Sequence, residues 1–320
     1  MDAFAERPAQ NTVQDHSVYL DLIARCRGLG PVATAVVHPC DPTSIAGAVE
    51  AAMAGLIIPI LVGPPAKIRA AAIEAGVDIS GFRLEPTAHS HAAAARAVAL
   101  VRAGEAAMLM KGSLHTDELM HEVVSAKTGL RTARRISHVF LMDVPSYPRP
   151  LLITDAAINV TPDLEDKKDI VQNAIDLAHV LGSPLPRVAI LSAVETVTPK
   201  LPSTIDAAAL CKMADRGQIT GGLVDGPLAF DNAISPEAAH DKGIRSCVAG
   251  KADVLVVPDL EAGNMLVKQL TFLAGADAAG VVLGARVPIV LTSRADSDRS
   301  RVASCAIGVL MALKPQIVAA

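Results

Sequence analysis

Aromatic residues are nearly absent from this 320-residue chain. It has no Trp, two Tyr and five Phe, which together make up 2% of the residues, whereas 51% of all residues are hydrophobic. Ala, Val, Leu and Ile must therefore fill the core. This composition favours buried parallel strands covered by alanine-rich helices, and the length is enough for two domains of ordinary size.

Cysteine pairs and a strong charge of one sign are also missing. The five cysteines stand singly, without a CxxC pair, at Cys26, Cys40, Cys211, Cys247 and Cys305. Their odd and dispersed number argues against a disulfide framework and against a thiolate zinc site. The formal net charge of −4 argues against a general nucleic-acid partner.

The chain lacks the patterns of export and of membrane insertion. No uncharged apolar run approaches the ~20 residues that a membrane helix needs. The first residues, MDAFAERPAQ, have neither a basic start nor an apolar signal core. We therefore expect a cytoplasmic protein with no membrane partner. Residues 1–16 are polar, and we expect them to form a tail.

Three familiar ligand-binding motifs are missing from the places where a strand would turn into a helix. These are GxGxxG, the GxxxxGK motif followed by Ser or Thr, and GxSxG. Their absence argues against a Rossmann dehydrogenase, a P-loop enzyme and an α/β hydrolase.

What is present is a regular alternation of apolar strand-like runs with longer helical stretches. The pattern predicts strands at 32–38, 57–62, 107–111, 138–142, 151–154, 188–192, 253–257, 280–283 and 289–292. It predicts helices at 43–55, 66–75, 89–103, 115–128, 166–181, 203–216, 261–274 and 297–314. Such alternation is typical of parallel, doubly wound sheets. The predicted fold class is α/β.

A proline-rich segment suggests where the chain divides. Residues 143–150 contain three prolines and are the best boundary candidate. The last helix is too short to form a domain, so we expect it to pack on the first half. The predicted division is 1–148 plus 294–320 for one doubly wound α/β domain and 149–293 for a second.

The segment VLTSRADSDRSR, residues 290–301, is the most informative one. An apolar strand ends, Thr292, Ser293 and Arg294 follow, and a long helix begins. Helix N-terminal amides and a neighbouring Arg are suited to bind an anion, and a Ser hydroxyl can donate to a developing oxyanion. The alternative is that Ser297 is an N-cap and Arg294 a solvated charge.

The segment KGSLHTDELMHEV follows another apolar strand. Gly112 permits close backbone approach, Ser113 can cap the next helix, and Lys111 and His115 can face a ligand. A metal cluster of His115, Asp117 and His121 is disfavoured, because residues six apart lie on different faces of a helix. No metal is expected. The alternative is a capped helix with solvated polar residues.

Further polar residues follow other predicted strands. Asp155, Asp225, Asp231, Glu261 and Asn264 can serve as bases or as hydrogen-bond orienters, or can simply close turns and begin helices. We expect residues 224–235, VDGPLAFDNAIS, to be rich in turns. A basic set can bind phosphates or be solvated surface; its members are Lys127, Arg131, Arg134 and Arg135.

Taken together, these segments resemble the phosphate acetyltransferase and phosphate butyryltransferase family. The resemblance runs from about residue 19 to residue 312 and rests on MKGSLHT, HVFLMDVP, DAAINVTPD, RVAILSAVET, DGPLAFDNAI, VAGKADVLVVPDLEAGN and SRADS, all in the family's order. It implies two α/β domains around an active cleft and usually a homodimer. It also implies reversible acyl transfer between coenzyme A and phosphate, with coenzyme A or acyl-CoA as substrate and with no permanently bound cofactor.

The same resemblance implies roles for residues. Ser293 and Arg294 match the family's Ser-Arg pair, so Arg294 would bind the phosphoryl group and Ser293 would hydrogen-bond the tetrahedral intermediate or the attacking sulfur. Acetyltransferases of the better-known type have Gly after the Arg and an Asp one turn later. Here Ala295 follows, and Ser300 stands at the Asp position. Asp296 is our candidate base, ahead of Asp298.

Two other functions are alternatives to acyl transfer. A non-catalytic acyl-CoA or acyl-phosphate binding protein is suggested by the departures after Arg294, and thiol release would distinguish it. A metal-dependent dehydrogenase of similar architecture would need an Asp cluster for a cation and an adenosine site, and the sequence offers neither convincingly.

Overall fold

The fold is an α/β structure built on one mixed sheet, which confirms the fold class expected from the alternating pattern. The computed structural model describes residues 17–291 and 297–313. Strands of the described residues are β1 (Val32–Val37), β2 (Ile57–Gly63), β3 (Arg83–Pro86), β4 (Met108–Lys111), β5 (Ser137–Asp143), β6 (Leu151–Thr154), β7 (Arg187–Leu191), β8 (Leu223–Leu228), β9 (Val254–Val256), β10 (Asp277–Leu283) and β11 (Ile289–Val290).

Helices cover both faces of this sheet. In chain order they are α1 (Ser17–Cys26), α2 (Pro42–Met53), α3 (Pro65–Ala75), α4 (Ser90–Arg102), α5 (Thr116–Val124), α6 (Leu164–Val180), α7 (Pro202–Asp215), α8 (Phe230–Ile234), α9 (Pro236–Asp241), α10 (Leu260–Leu273) and α11 (Asp298–Leu313). Every helix and strand predicted from the sequence is present, with ends shifted by a few residues.

The strand order shows how the two halves of the chain are joined. It is β3-β2-β1-β4-β11-β10-β5-β6-β9-β7-β8. The strands from β3 to β11 run parallel to one another, and so do β6, β9, β7 and β8. Between these groups, β10 is antiparallel to β11 and β5, and β5 is antiparallel to β6. The two parallel groups therefore point in opposite directions.

The register brings the carboxyl ends of both groups to the middle of the sheet. Leu109 of β4 lies opposite Ile289, which lies opposite Val282, which lies opposite His138. One residue further along β5, Val139 lies opposite Thr154, the last residue of β6. Since β4 ends at Lys111 and β11 at Val290, both groups of strands end close to the same line across the sheet.

Alternate residues of the strands divide the core into two layers. One apolar cluster is continuous across the whole sheet on one face, from Leu61 of β2 to Val188 of β7. The other face holds two separate clusters. One surrounds Leu109 and Ile289, and the other surrounds Ile153 and Leu255. The sheet is thus continuous, whereas the packing on this second face is divided.

Small residues let α11 lie close to the sheet. This helix packs against α1, α2 and β10 and also contacts β1, β4 and β11. Gly308 faces the strands, and a Cβ added there would lie 2.4 Å from Met108 Sδ and 3.2 Å from a Val290 methyl. Alanine and glycine therefore replace aromatic bulk at this contact.

The expectation of turns at 224–235 was wrong. Residues 223–228 form β8 and residues 230–234 form α8. Gly226 and Pro227 suggested a turn, but both lie in β8, the last strand of the sheet. A strand at an edge tolerates the missing N–H of proline. Strand β3 and helices α1 and α9 were also not predicted.

The close contact at Gly308 gives a stability test. Gly308→Val places a branched side chain against Met108 and Val290, and we expect the free energy of unfolding to fall by about 1–3 kcal/mol. Urea unfolding measures it. Ala99→Val, at an exposed position of α4, is the matched control and should cost only about 0.5 kcal/mol. Equal losses in the two variants would contradict the packing described here.

Candidate active site

A recess of about 460 Å³ lies where β4 and β11 end, beside β5. Side chains from both sides of the central strands line it, among them Lys111, Ser113, His138, Phe140 and Leu291. A second hollow of about 420 Å³, lined by His38, Cys40 and Lys67, shares Asp41, Thr43 and Ser113 with the first. The two hollows adjoin at these three residues, and together we call them the recess at the ends of β1, β4 and β11.

Backbone contact between two loops shapes one wall of the recess. The Gly112 N–H donates to Val37 O at 2.9 Å, and the Ser113 N–H donates to His38 O at 3.0 Å. A Cβ on Gly112 would lie 2.5 Å from Val37 O and 2.6 Å from His38 O. Only glycine fits between these carbonyl oxygens, as the sequence suggested.

Ser113 organises the turn after β1 rather than capping the next helix. Its hydroxyl donates to His38 O at 2.8 Å, so its oxygen must accept from His38 Nδ1 at 3.1 Å and from Cys40 N at 3.3 Å. His38 has a positive φ of 56°, which is rare for a residue with a side chain. Burial, and then the Lys67 cation, lower the pKa of His38. The lowered pKa favours the neutral imidazole at pH 7.

Positive charge and a helix N-terminus face the recess from the same side. Lys111 is half-buried, and its Nζ donates to Gly112 O at 3.3 Å. Helix α2 begins here, and its N-cap Asp41 accepts from Ser44 N at 2.8 Å. Because the Asp41 carboxylate opposes an incoming anion, attraction for one depends on Lys111 and Lys67.

Strand β5 gives the recess a wall that the sequence did not reveal. His138 and Phe140 both line it, with ring centroids 4.2 Å apart. His138 is 1% exposed, and burial lowers its pKa to about 3. Gly280 of the neighbouring strand makes room for the ring, because a Cβ there would lie 2.5 Å from His138 Cε1.

Asp155 supports the recess without lining it. Its carboxylate accepts hydrogen bonds from the N–H groups of Ala157, Ile158 and Asn159 and from Asn159 Nδ2, at 2.6–3.1 Å. Burial raises the pKa of Asp155, and these four hydrogen bonds oppose that rise. Ala157, at the centre of this turn, lines the recess. Asp155 therefore holds the loop after β6 in shape.

The other acidic and amide candidates lie apart from the recess. Asp225 accepts from Gly226 N at 2.9 Å, and Asp231 pairs with Lys242 at 3.3 Å. Glu261 is exposed in the first turn of α10, and Asn264 Nδ2 donates to Ala156 O at 3.3 Å. Asn264 thus belongs to the Asp155 turn. His115 is exposed and lines the recess.

Two residues of the basic set, Arg134 and Arg135, form ion pairs rather than facing the recess. Arg134 pairs with Asp176, and Arg135 pairs with Asp166 at 3.3 Å and donates to Asn159 Oδ1 at 2.7 Å. These arginines tie the loop before β5 to α6. Within the described residues, no three His, Cys, Asp or Glu side chains are arranged to hold a metal ion.

Ser293, Arg294 and Asp296 lie outside the described residues. Both chain segments that flank them are described and reach the recess, because Leu291 and Arg301 line it. Arg301 is buried in α11 and pairs with Asp298.

Several residues that line the recess were not predicted from the sequence. His38, Asp41 and Lys67 were not named, nor were His138 and Phe140. The first group had a signal, since VVHPCDPTS is also an apolar strand that runs into a capped helix. His138 and Phe140 had none, because their place depends on antiparallel pairing at the centre of the sheet.

Comparisons with known proteins all point to one family. A family model described as phosphate acetyl/butaryl transferase matches residues 87–309. The phosphate acetyltransferase of Rhizobium meliloti is 67% identical over 298 residues, which cover 93% of this chain and 94% of that protein. The phosphate butyryltransferase of Clostridium acetobutylicum is 44% identical over 258 residues, which cover 81% and 86%.

A solved structure is similar in fold as well as in sequence. It is a branched-chain phosphotransacylase from Enterococcus faecalis V583, with a TM-score of 0.77 and 30% identity. The match covers 88% of this chain and 99% of that one.

The buried His138 predicts a pH dependence of stability. Its pKa in the folded protein is about 3, below its ordinary 6.5, so the unfolded chain binds a proton between these values and the folded one does not. Stability must then fall as the pH falls. From pH 7 to 5 this group contributes a loss of about 2 kcal/mol.

Urea unfolding of the wild type and of His138→Gln at both pH values isolates this contribution, because every other titrating group is common to the two. We expect the variant to lose about 2 kcal/mol less than the wild type. The same loss in both proteins would mean that His138 titrates normally.

Proposed function

Because the chain belongs to the phosphate acetyl/butyryl transferase family, we propose that it transfers a short acyl group reversibly between coenzyme A and inorganic phosphate. It is an acyltransferase, as its relatives are. Coenzyme A acts as a substrate, and no cofactor is bound permanently. The two alternatives, a non-catalytic binding protein and a metal-dependent dehydrogenase, are not favoured by these relatives.

The observation that carries the proposal is the make-up of the recess. An acyl phosphate is anionic at one end and apolar at the other. Lys111 and Lys67 suit its phosphoryl end, and Phe140, Leu291 and Ala157 suit its acyl end. The small volume fits a short acyl phosphate, with the thiol of coenzyme A approaching from the open side.

The proposed chemistry is direct attack of the coenzyme A thiolate on the acyl carbon. A free thiol has a pKa near about 8.5, so it must be deprotonated or stabilised as the anion. Arg294 would bind the phosphoryl group, and Ser293 would donate to the oxyanion. The neighbouring Leu291 and Arg301, both at the recess, support this placement. The first turn of α11 would add N–H donors.

Asp296 is the proposed base that takes the thiol proton. Asp298 is a poorer candidate because it begins α11 and pairs with Arg301. A carboxylate with an ordinary pKa of about 3.9 is a weak base at pH 7, so Asp296 would need its pKa raised in the closed site. If no carboxylate does so, Arg294 and the helix end would lower the thiol pKa instead.

Lys111, Gly112, Ser113 and His115 are proposed to bind the substrates directly. Asp155 and Asn264 would act through the loop that carries Ala157. Asp225, Asp231 and Glu261 would contact only the more distant parts of coenzyme A. The more similar relative is named an acetyltransferase, which supports acetyl as the preferred group.

Assembly and location complete the proposal. We expect a homodimer, supported by the exposed apolar side chains of Met265, Phe272 and Leu273 on α10. Light scattering that gives the mass of one chain would contradict it.

No helix of the described residues is long and apolar enough to cross a membrane. The five cysteines are unpaired, which supports a cytoplasmic location. We also propose that the chain divides into 1–148 plus 294–320 and 149–293. The packing on one face of the sheet is divided too, but there Val282 and Ile289 pack with the first half, and Met142 and Val144 pack with the second.

Arg294 and Ser293 give separable kinetic effects. Arg294→Ala should raise the KM for phosphate and lower turnover, by about 10–100-fold in kcat/KM, since it removes charge-assisted hydrogen bonds. Arg294→Lys should restore only part of this loss. Ser293→Ala should lower kcat by about 100-fold with little effect on KM, because its bond forms mainly in the transition state.

Thiol release from acetyl-CoA with varied phosphate measures both effects. Arg216→Ala, an exposed arginine at the end of α7, is the matched control. Wild-type phosphate kinetics in Arg294→Ala would remove that residue from the site.

The pH dependence of kcat/KM tests the base. If Asp296 takes the proton, Asp296→Asn should lower turnover and abolish the acid limb of the profile, whereas Asp298→Asn should keep it. A full rate with an unchanged acid limb in Asp296→Asn would show that another group activates the thiol.

A further inference from the structure

The wall of the recess formed by β5 has features that recognition of phosphate and thiol does not explain. His138 and Phe140 are two residues apart, so their side chains point to the same face of the strand. Both line the recess, and their rings meet at 4.2 Å with a tilt of 57°. Phe140 packs against the apolar cluster around Ile153 and Leu255, and the His138 ring lies against Phe140.

The recess changes character across the sheet. In strand order, β1 and β4 stand on one side of β11 and β10, and β5 and β6 stand on the other. The first side provides Lys111, Thr43 and Ser44, which suit an anion. The second provides Phe140 and Ala157, which suit an apolar group. A substrate with a charged end and an apolar end would therefore lie across the central strands.

His138 is an isolated polar group on the apolar side. Its Nδ1 is buried and has no hydrogen-bond partner among the described residues. The adjacent Cε1–Nε2 edge of the ring lies on Gly280, where a Cβ would be 2.5 Å from Cε1 and 2.6 Å from Nε2. Burial keeps the imidazole neutral, so it carries one N–H donor and one acceptor. A buried polar atom without a partner is costly, and a ligand atom that pairs with it recovers that cost.

We propose that Phe140 and His138 form the acyl end of the recess, with Phe140 limiting the length of the acyl chain and His138 donating a hydrogen bond to the acyl carbonyl oxygen. This inference rests on the proposed acyl transfer. The carbonyl lies between the phosphoryl group and the chain, just as His138 lies beside Phe140 and across the sheet from Lys111. The hydrogen bond strengthens as the oxygen gains charge during thiolate attack.

Substitution of Phe140 tests the length limit. Phe140→Ala should raise the ratio of kcat/KM for butyryl-CoA to that for acetyl-CoA by about 10-fold or more, because even one or two methylene groups are discriminated to this degree in a closed apolar pocket. Phe140→Leu, which keeps more of the packing, should shift the ratio in the same direction by less. Phe82→Ala, a partly buried phenylalanine elsewhere in the core, is the matched control and should leave the ratio unchanged.

Substitution of His138 tests the hydrogen bond. His138→Leu removes the donor and should lower kcat by about 100-fold with both acyl groups. His138→Gln keeps an N–H donor, so it should retain most of the rate. Circular dichroism and urea unfolding confirm that each variant is folded before kinetics are compared.

The outcomes separate this inference from the function it rests on. A folded wild type that transfers neither acetyl nor butyryl groups to phosphate overturns the proposed function. An active wild type whose acyl ratio is unchanged in both Phe140 variants overturns the length limit alone. Wild-type turnover in His138→Leu, or equal losses in His138→Leu and His138→Gln, overturns the role of His138 as a donor.

Discussion

Antiparallel pairing of β5 with β10 and β6 is the constraint on which the site depends. These pairs reverse the strand direction at the centre of the sheet, so the two parallel groups point toward each other. In an open parallel sheet, ligands bind beyond the carboxyl ends of the strands. Here the carboxyl ends of both groups meet along one line, and loops from each group can reach the same small volume.

Close packing of small residues allows this arrangement without aromatic bulk. Gly112 lets two loops share backbone hydrogen bonds, Gly280 accommodates the His138 ring, and Gly308 brings α11 against β4 and β11. At each place a Cβ would come within 2.6 Å of another atom. The continuous apolar layer on one face holds the halves together, and the divided layer on the other leaves room for the recess. One face of the sheet thus joins the two halves, and the opposite face carries the recess.

The charges around the recess fit an anionic substrate that must not be held too tightly. Lys111 and Lys67 attract an anion, and Asp41 opposes it. The two nearby histidines add little positive charge at neutral pH, because burial lowers the pKa of both His38 and His138. Asp155 is engaged by four hydrogen bonds and orders a loop. Buried polar groups of this kind fix geometry while adding little net charge.

The sequence by itself determined the α/β class, nearly all of the helices and strands, the family and the close approach at Gly112. These depend on local periodicity, on motif order and on the conformational freedom of glycine. It misjudged 223–228, because the tolerance of Pro227 depends on β8 being an edge strand. Only the tertiary structure decided that His138 and Phe140 face the recess. Strands far apart in sequence pair through backbone N–H and C=O groups, which nearly every residue carries. The sequence therefore does not show which strands become neighbours.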